Sequence, residues 1–387
     1  MESVLTIHQG RTDAVPAHVG MDGERLELLD KHFGNLIEAG KLQGASYLVA
    51  RHGQIVVNKS QGKLTYKADS PDFKPDSIRK IYSITKVLTA AAITRLCEEG
   101  LLHPTQSVST ILPEFDTAMH RGISIWHLVT HTSGVGPDPD VLGEAYAHPW
   151  YEWFAHETKK RSGSWSKSES IKAIIAGKPL AKPGEQWIYS SAGYALLAEI
   201  IQRVSGMGYE AYIKQHILDP LGMENTFMRV PEQLRNQTCF VGEWGYKEIF
   251  EPFPMDDDIL PAGGNGFYST LMDLYRFGQA MLDGGKLGGS TVLGRRSVQM
   301  MVSDQLQDVH NRCWGNNSTD SRYAFGWGLG GADLCSPSTF SHEGYGHSGL
   351  YVDPVERLVY VFFVPNKAGW LPEAVINPRN IVWSALL

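Results

Sequence analysis

Cysteine is scarce in this chain: Cys97, Cys239, Cys313 and Cys335 are the only four among 387 residues. None stands in a C-x-x-C pair or beside paired histidines, so there is no disulfide framework and no metal-ligand spacing. They read as reduced, structural thiols, with Cys97 packing as a small hydrophobe. Basic charge is not in excess either. Lys+Arg total 35 against 42 Asp+Glu, a formal net charge of −7, which leaves no basic stripe for nucleic acid and no polybasic segment for an anionic membrane. Long apolar runs are missing, and the stretch from Leu358 to Pro365 is far short of the roughly 20 residues a spanning helix needs. The segment Met1 to Arg11 has an acidic residue near its start and no apolar core, so no secretory signal is read and a cytoplasmic location is expected. No repeat or low-complexity tract occurs. What is present is a 42% hydrophobic composition, enough to bury the core of one large domain or two intertwined lobes.

Two β signals bracket the chain. Gly44 to Arg51, His52-Gly53 and Gln54 to Asn58 read as an antiparallel hairpin, and His347 to Val352 with Leu358 to Val364 read as another. Between them the pattern is helical and loop-rich, with candidates over 84–99, Ile123 to Thr130, Tyr194 to Val204 closed by Gly206, Tyr209 to Ile217, and Thr270 to Leu282. The economical architecture is a mixed sheet built from both chain ends, residues 1–85 and 290–387, with a mainly helical lobe, 86–289, inserted between them. A site at the lobe boundary follows.

Ser83-Ile84-Thr85-Lys86 opens the apolar run Val87 to Ile93. Residues three apart on a helix share a face with Cβ atoms roughly 5–6 Å apart, so the Lys86 amine can reach the Ser83 hydroxyl and activate an otherwise weak nucleophile. A helix start adds unpaired N–H groups able to hold an oxyanion. The spacing alone is cheap, because it recurs at Ser60–Lys63, Ser77–Lys80 and Ser164–Lys167. Only Ser83 begins a long helical pattern, with Ile84, Leu88, Ala91 and Leu96 on one stripe and Gly100 as a stop.

Tyr189-Ser190-Ser191 immediately precedes a helix. A phenol beside an ammonium can lower its own proton affinity and serve Ser83 as a base, although a lone tyrosine is more often a packing aromatic. His347-Ser348-Gly349 follows Gly344-Tyr345-Gly346 and opens the late hairpin. Its strand edge can line a substrate, with Leu350 supplying a second oxyanion N–H. Ser348 lacks the strand-to-helix context of a nucleophile elbow. His342 and His347 lie five apart across glycines and cannot form an i, i+4 zinc pair; His127 and His131 have that spacing but no glutamate between them.

These segments, taken in order, resemble the class C β-lactamase-like, or penicillin-binding-protein-like, serine hydrolases over roughly residues 20 to 387. Further matching stretches are His127-Leu128-Val129-Thr130-His131-Thr132-Ser133-Gly134, Pro220 to Met223, and Gly263 to Thr270. The resemblance implies an α/β (α+β) fold of the β-lactamase/transpeptidase type, an antiparallel sheet flanked by helices with an inserted helical lobe. It implies Ser83, Lys86 and Tyr189 as catalytic residues, the N–H groups of Ser83 and Leu350 as the oxyanion hole, and Ser191, His347 and Gly349 as substrate contacts. No metal or organic cofactor is implied, and the partner is a small-molecule ester or amide. Two positions depart from the family pattern: Ser191 stands where asparagine is common, and His347 where lysine usually attracts a substrate carboxylate. Short-chain carboxylesterase activity is therefore expected. The alternatives are a β-lactamase or D-amino-acid peptidase, an acyltransferase, and a silent sensor or scaffold on the same fold.

Overall fold

The computed structural model describes residues 5–139, 141–142, 148, 150, 166–252, 257–330, 333–366 and 369–387. Its centre is a sheet built from both ends of the chain, and every pairing in it is antiparallel, not mixed as the sequence pattern suggested, because its long strands are joined by hairpins. The strands are β1 (His8–Gln9), β2 (Gly44–Arg51), β3 (Gln54–Gly62), β4 (Gly328–Leu329), β5 (Phe340–Gly344), β6 (Ser348–Asp353) and β7 (Leu358–Phe363), in the spatial order β1-β3-β2-β7-β6-β5-β4. Tyr47 and Val49 point to one face while Leu48 and Ala50 point to the other, and both faces are covered. That is why these strands read as continuous apolar runs rather than alternating ones.

One face packs on α1 (Gly23–Glu38) and the C-terminal α5 (Pro372–Ser384), through Phe33, Tyr360, Phe362 and Trp383. The other packs on α2 (Thr85–Glu98), α3 (Ser191–Ser205) and α4 (Leu271–Leu282). α2 is buried around nearly its whole circumference, from Thr85 to Thr94, so the stripe expected from its sequence is one side of a helix that has no solvent face. α3 starts where Ser190 accepts a hydrogen bond from the Gly193 N–H at 3.0 Å and stops at Gly206, whose φ of 71° ends the helix. No helix among the described residues is long and apolar enough to cross a membrane.

β5 is the element the sequence pattern hid. It pairs with β6 in the register His342↔Leu350, Glu343↔Gly349, Gly344↔Ser348, so the stretch from His342 to His347 is a strand and its turn. β6 is consequently an inner strand, because Gly349 also faces Phe362 and Leu350 faces Val361 on β7. Gly349 is a packing glycine: a Cβ there would lie 2.3 Å from the Phe362 ring. Gly349→Val should therefore destabilise the fold by about 1–3 kcal/mol through overpacking, measured as a lower urea midpoint. Unchanged stability with a selective rise in KM would instead place Gly349 against substrate.

Candidate active site

Ser83 sits in a single 3-10 turn, Tyr82–Ile84, that feeds directly into α2. Tyr82 has a φ of 45°, a left-handed backbone that costs a non-glycine residue about 1–3 kcal/mol and persists only where the surroundings enforce it. Those surroundings are visible. The Ile81 N–H donates to the Phe267 carbonyl at 2.9 Å, the Thr85 hydroxyl accepts from the Phe267 N–H at 3.1 Å, and the Ser348 hydroxyl donates to the Ile81 carbonyl at 3.3 Å. Gly344 presses on the same carbonyl, leaving only 2.2 Å for a Cβ.

Lys86 is fully buried on the first turn of α2 and donates three hydrogen bonds: to Ser83 Oγ at 3.1 Å, Ser191 Oγ at 3.0 Å and the Gly264 carbonyl at 2.9 Å. Three acceptors match the three N–H groups of an ammonium. The Gly264 carbonyl reaches it because the loop is pressed between helices, and a Cβ on Gly263 would fall 2.4 Å from the Tyr194 carbonyl. The rings of Tyr189 and Tyr194 flank the amine at 4.6 and 5.6 Å. Burial pushes the Lys86 amine down to about 8, opposed by the charge of Asp138.

Tyr189 is buried beside Ser83, its backbone N–H donating to Cys313 Sγ at 3.2 Å. Desolvation, with Tyr323 and Asp138 adding to it, holds its phenol well above the usual range, and the Ser83 hydrogen bond only partly offsets this. The phenolate expected from a neighbouring ammonium is thus not favoured, because burial outweighs the cation. All four cysteines are unpaired.

Of the remaining sequence candidates, Ser191 joins this group and His347 and Leu350 do not. The His347 imidazole accepts from the Leu371 N–H at 3.2 Å and meets the Trp370 ring edge-on at 5.4 Å, tying the turn to the segment entering α5. Leu350 is fully buried in the core, and its strand is paired on both edges, so its N–H is spent in the ladder. The backbone that does approach Ser83 is the β5–β6 turn. Tyr345 lies in it with its ring 5.6 Å from that of Tyr82, and among the described residues no hydrogen bond takes its N–H.

Asp138 was not singled out by sequence, and His131 and His342 were weighed there only as metal ligands and set aside. Asp138 accepts from the Ser191 N–H at 2.5 Å and the Ser191 hydroxyl at 2.7 Å; it lies in a Pro-flanked loop that carries no spacing signal. His131 accepts from the Ser190 N–H at 3.1 Å on Nδ1, and its ring lies tilted against that of Tyr189 with centroids 4.3 Å apart. His342 contacts the Glu343 carbonyl at 2.9 Å through Nδ1. That leaves the Nε2 atom of each ring buried and, among the described residues, unpartnered, a donor on His131 and a bare acceptor on His342. His342 opens His-Glu-Gly on β5, a pattern that weighing it only as a zinc motif concealed. Of the competing serines, Ser60 donates to the Phe73 carbonyl at 2.7 Å and Ser77 caps Lys74 at 3.0 Å, while Ser164 lies outside the described residues.

The arrangement is that of a hydroxyl and a buried amine able to exchange a proton at the edge of an antiparallel sheet. That sheet, covered by helices on both faces, is the fold of the β-lactamase/transpeptidase class. The chain belongs to the β-lactamase family of serine hydrolases, whose profile matches residues 29–383. It is 28% identical over 351 residues to a penicillin-binding protein of Bacillus subtilis (strain 168), spanning 85% of this chain and 70% of that one. It is 26% identical over 368 residues to esterase EstB of Burkholderia gladioli, spanning 83% and 85%. Its fold superposes with a TM-score of 0.75 on EstCE1, a hydrolase with promiscuous acyltransferase activity, at 18% identity over 93% of this chain and 99% of that chain.

Burial pushes His342 down to about 3 and His131 well below its ordinary value, with the Lys86 charge adding to both shifts. Both rings are neutral in the fold but take a proton near pH 6.5 once unfolded, so the unfolded state binds more protons below that pH. Stability should fall progressively from about pH 6.5 towards pH 4, and His342→Gln should flatten the slope. Urea unfolding at stepped pH measures it; a slope identical in wild type and variant would show that His342 is charged in the folded protein.

Proposed function

We propose that this chain is a carboxylesterase that cleaves short-chain esters through a covalent acyl-enzyme on Ser83. The observation that carries the reading is the Lys86 amine, buried, lowered to about 8 and 3.1 Å from Ser83 Oγ. A neutral fraction of such an amine exists at working pH and can take the serine proton as Oγ attacks the ester carbonyl carbon. The carbonyl oxygen becomes an oxyanion, received by the N–H groups of Ser83 and Tyr345, the latter in place of Leu350. Collapse breaks the ester C–O bond. The departing alkoxide takes a proton from the Lys86 ammonium, either directly or through the Tyr189 phenol, which burial keeps protonated and which Lys86 then reprotonates, so that the amine is neutral again. Water, deprotonated by the same amine, then attacks the acyl carbon; the acyl C–Oγ bond breaks, Lys86 returns the proton to Ser83 Oγ, and the acid is released.

Substrate class follows from charge. At the sheet edge facing Lys86 stands His342, held neutral, and Arg79 is engaged with the Gly346 carbonyl and, at 3.6 Å, Cys239 Sγ. A substrate carboxylate gains little there, and Ser191 offers no amide to a substrate carbonyl. A missing charge-assisted hydrogen bond is worth about 1.5–3 kcal/mol, or roughly one to two decades in kcat/KM.

The test is a panel of p-nitrophenyl acetate and butyrate, a chromogenic cephalosporin and a D-alanyl peptide, run on wild type and Ser83→Ala. Aryl esters should be cleaved with kcat/KM at least about tenfold above the cephalosporin, and Ser83→Ala should lose turnover while keeping its fold. A wild type that prefers the cephalosporin or the peptide would replace the esterase reading with a β-lactamase or peptidase; ester turnover surviving in Ser83→Ala would remove Ser83 as nucleophile.

A further inference from the structure

We propose that Asp138 is a positioning residue of this site, its carboxylate and the Ser191 hydroxyl forming a two-residue relay that fixes the Lys86 amine against Ser83. The inference rests on Ser83 and Lys86 being the reacting pair, and adds a residue outside every recognisable motif.

The geometry is a chain of directed bonds. Lys86 Nζ donates to Ser191 Oγ at 3.0 Å, that hydroxyl donates to Asp138 Oδ2 at 2.7 Å, and the Ser191 N–H donates to Asp138 Oδ1 at 2.5 Å. Both carboxylate oxygens are engaged by one residue, so the bidentate grip sets the Ser191 side chain as well as its backbone. A serine hydroxyl rotates freely. Asp138 takes its hydrogen and leaves a lone pair facing the amine. Asp138 is itself tethered, its N–H donating to the Tyr189 carbonyl at 3.1 Å, so hydrogen bonds tie the loop, the phenol-bearing segment and the start of α3 together.

The carboxylate also carries charge into a neutral environment. Around Lys86 stand Ser83, Ser191, the Gly264 carbonyl, the phenols of Tyr189 and Tyr194, and the imidazoles of His131 and His342. The phenols are held up and the imidazoles down by burial, so all four are uncharged near neutrality. Among the described residues, Asp138 is the charged group that opposes the desolvation of Lys86; burial raises its own carboxyl above the usual range, and the Lys86 charge and the two Ser191 hydrogen bonds oppose that rise. Removing its charge lets desolvation act unopposed and moves the deprotonation of Lys86 to lower pH.

The experiment is the rate of Ser83 phosphonylation by a fluorophosphonate from pH 5 to 10, with the modified residue located by peptide mass spectrometry. This readout needs the nucleophile and its base but not the correct substrate class. Wild type should show a rising limb centred near pH 8. Asp138→Asn should shift that limb down by about one unit or more and lower the plateau roughly tenfold as the amine loses its fixed position. Asp138→Glu should keep the limb near that of wild type. Ser191→Ala cuts the hydroxyl link while leaving α3 intact, and should lower the plateau to a similar degree. A coincident pH profile for wild type and Asp138→Asn overturns the proposal; if that variant does not fold, an unchanged plateau in Ser191→Ala overturns it equally. A wild type that is not labelled at Ser83 defeats the acyl-enzyme reading itself, and this proposal with it.

Discussion

The constraint on which the site depends is the burial of one ammonium group. Lys86 has no exposed surface, and a charge taken out of water costs several kcal/mol unless its donors are satisfied. Three regions of the chain supply the acceptors: the turn bearing Ser83, the start of α3 with Ser191, and the glycine loop with its Gly264 carbonyl. Each must arrive within hydrogen-bond distance, so each is pinned in turn. The loop is glycine at 263 because helix backbone lies where a side chain would be, and Thr89 one helical turn along from Lys86 holds the Gly263 carbonyl at 2.6 Å.

Two opposing effects then set the chemistry. Desolvation drives the amine towards its neutral form, whereas the Asp138 carboxylate, relayed through Ser191, favours the charged one. Their balance leaves Lys86 able to hold a proton at rest and to take one from Ser83 during attack. The same desolvation keeps Tyr189 a phenol and His131 and His342 neutral. One dry environment thus assigns the roles: an amine that titrates near the working range, and a ring of polar groups that do not.

Much of this was legible in the sequence because it is local. Ser83 and Lys86 are three apart and need only a helix to meet, and Tyr189 and Ser191 are placed by the capped start of α3. A sheet built from both chain ends around a helical middle followed from two β signals, whereas the antiparallel sheet flanked by helices was implied by the family resemblance. What failed was register. His342-Glu343-Gly344 and His347-Ser348-Gly349 are both histidine–glycine triplets at the mouth of one hairpin, and the pattern could not say which strand would lie against the Ser83 turn. β5 does, because Gly344 alone lets a backbone approach the Ile81 carbonyl, and β6 is thereby enclosed with Leu350 in the core. Asp138 was hidden for a different reason: it meets Ser191 across 53 positions of sequence, and a carboxylate in a loop gives no periodic signal of such a partner.

The account's central claim is that Lys86 is a buried amine whose proton affinity has been brought down to the working range of the enzyme. Direct titration of its side chain by NMR, following the Cε chemical shift of selectively labelled lysine with Lys86→Met to assign the resonance, tests this without any substrate. The account predicts a midpoint near pH 8; a midpoint at the ordinary lysine value of about 10.4 would contradict it.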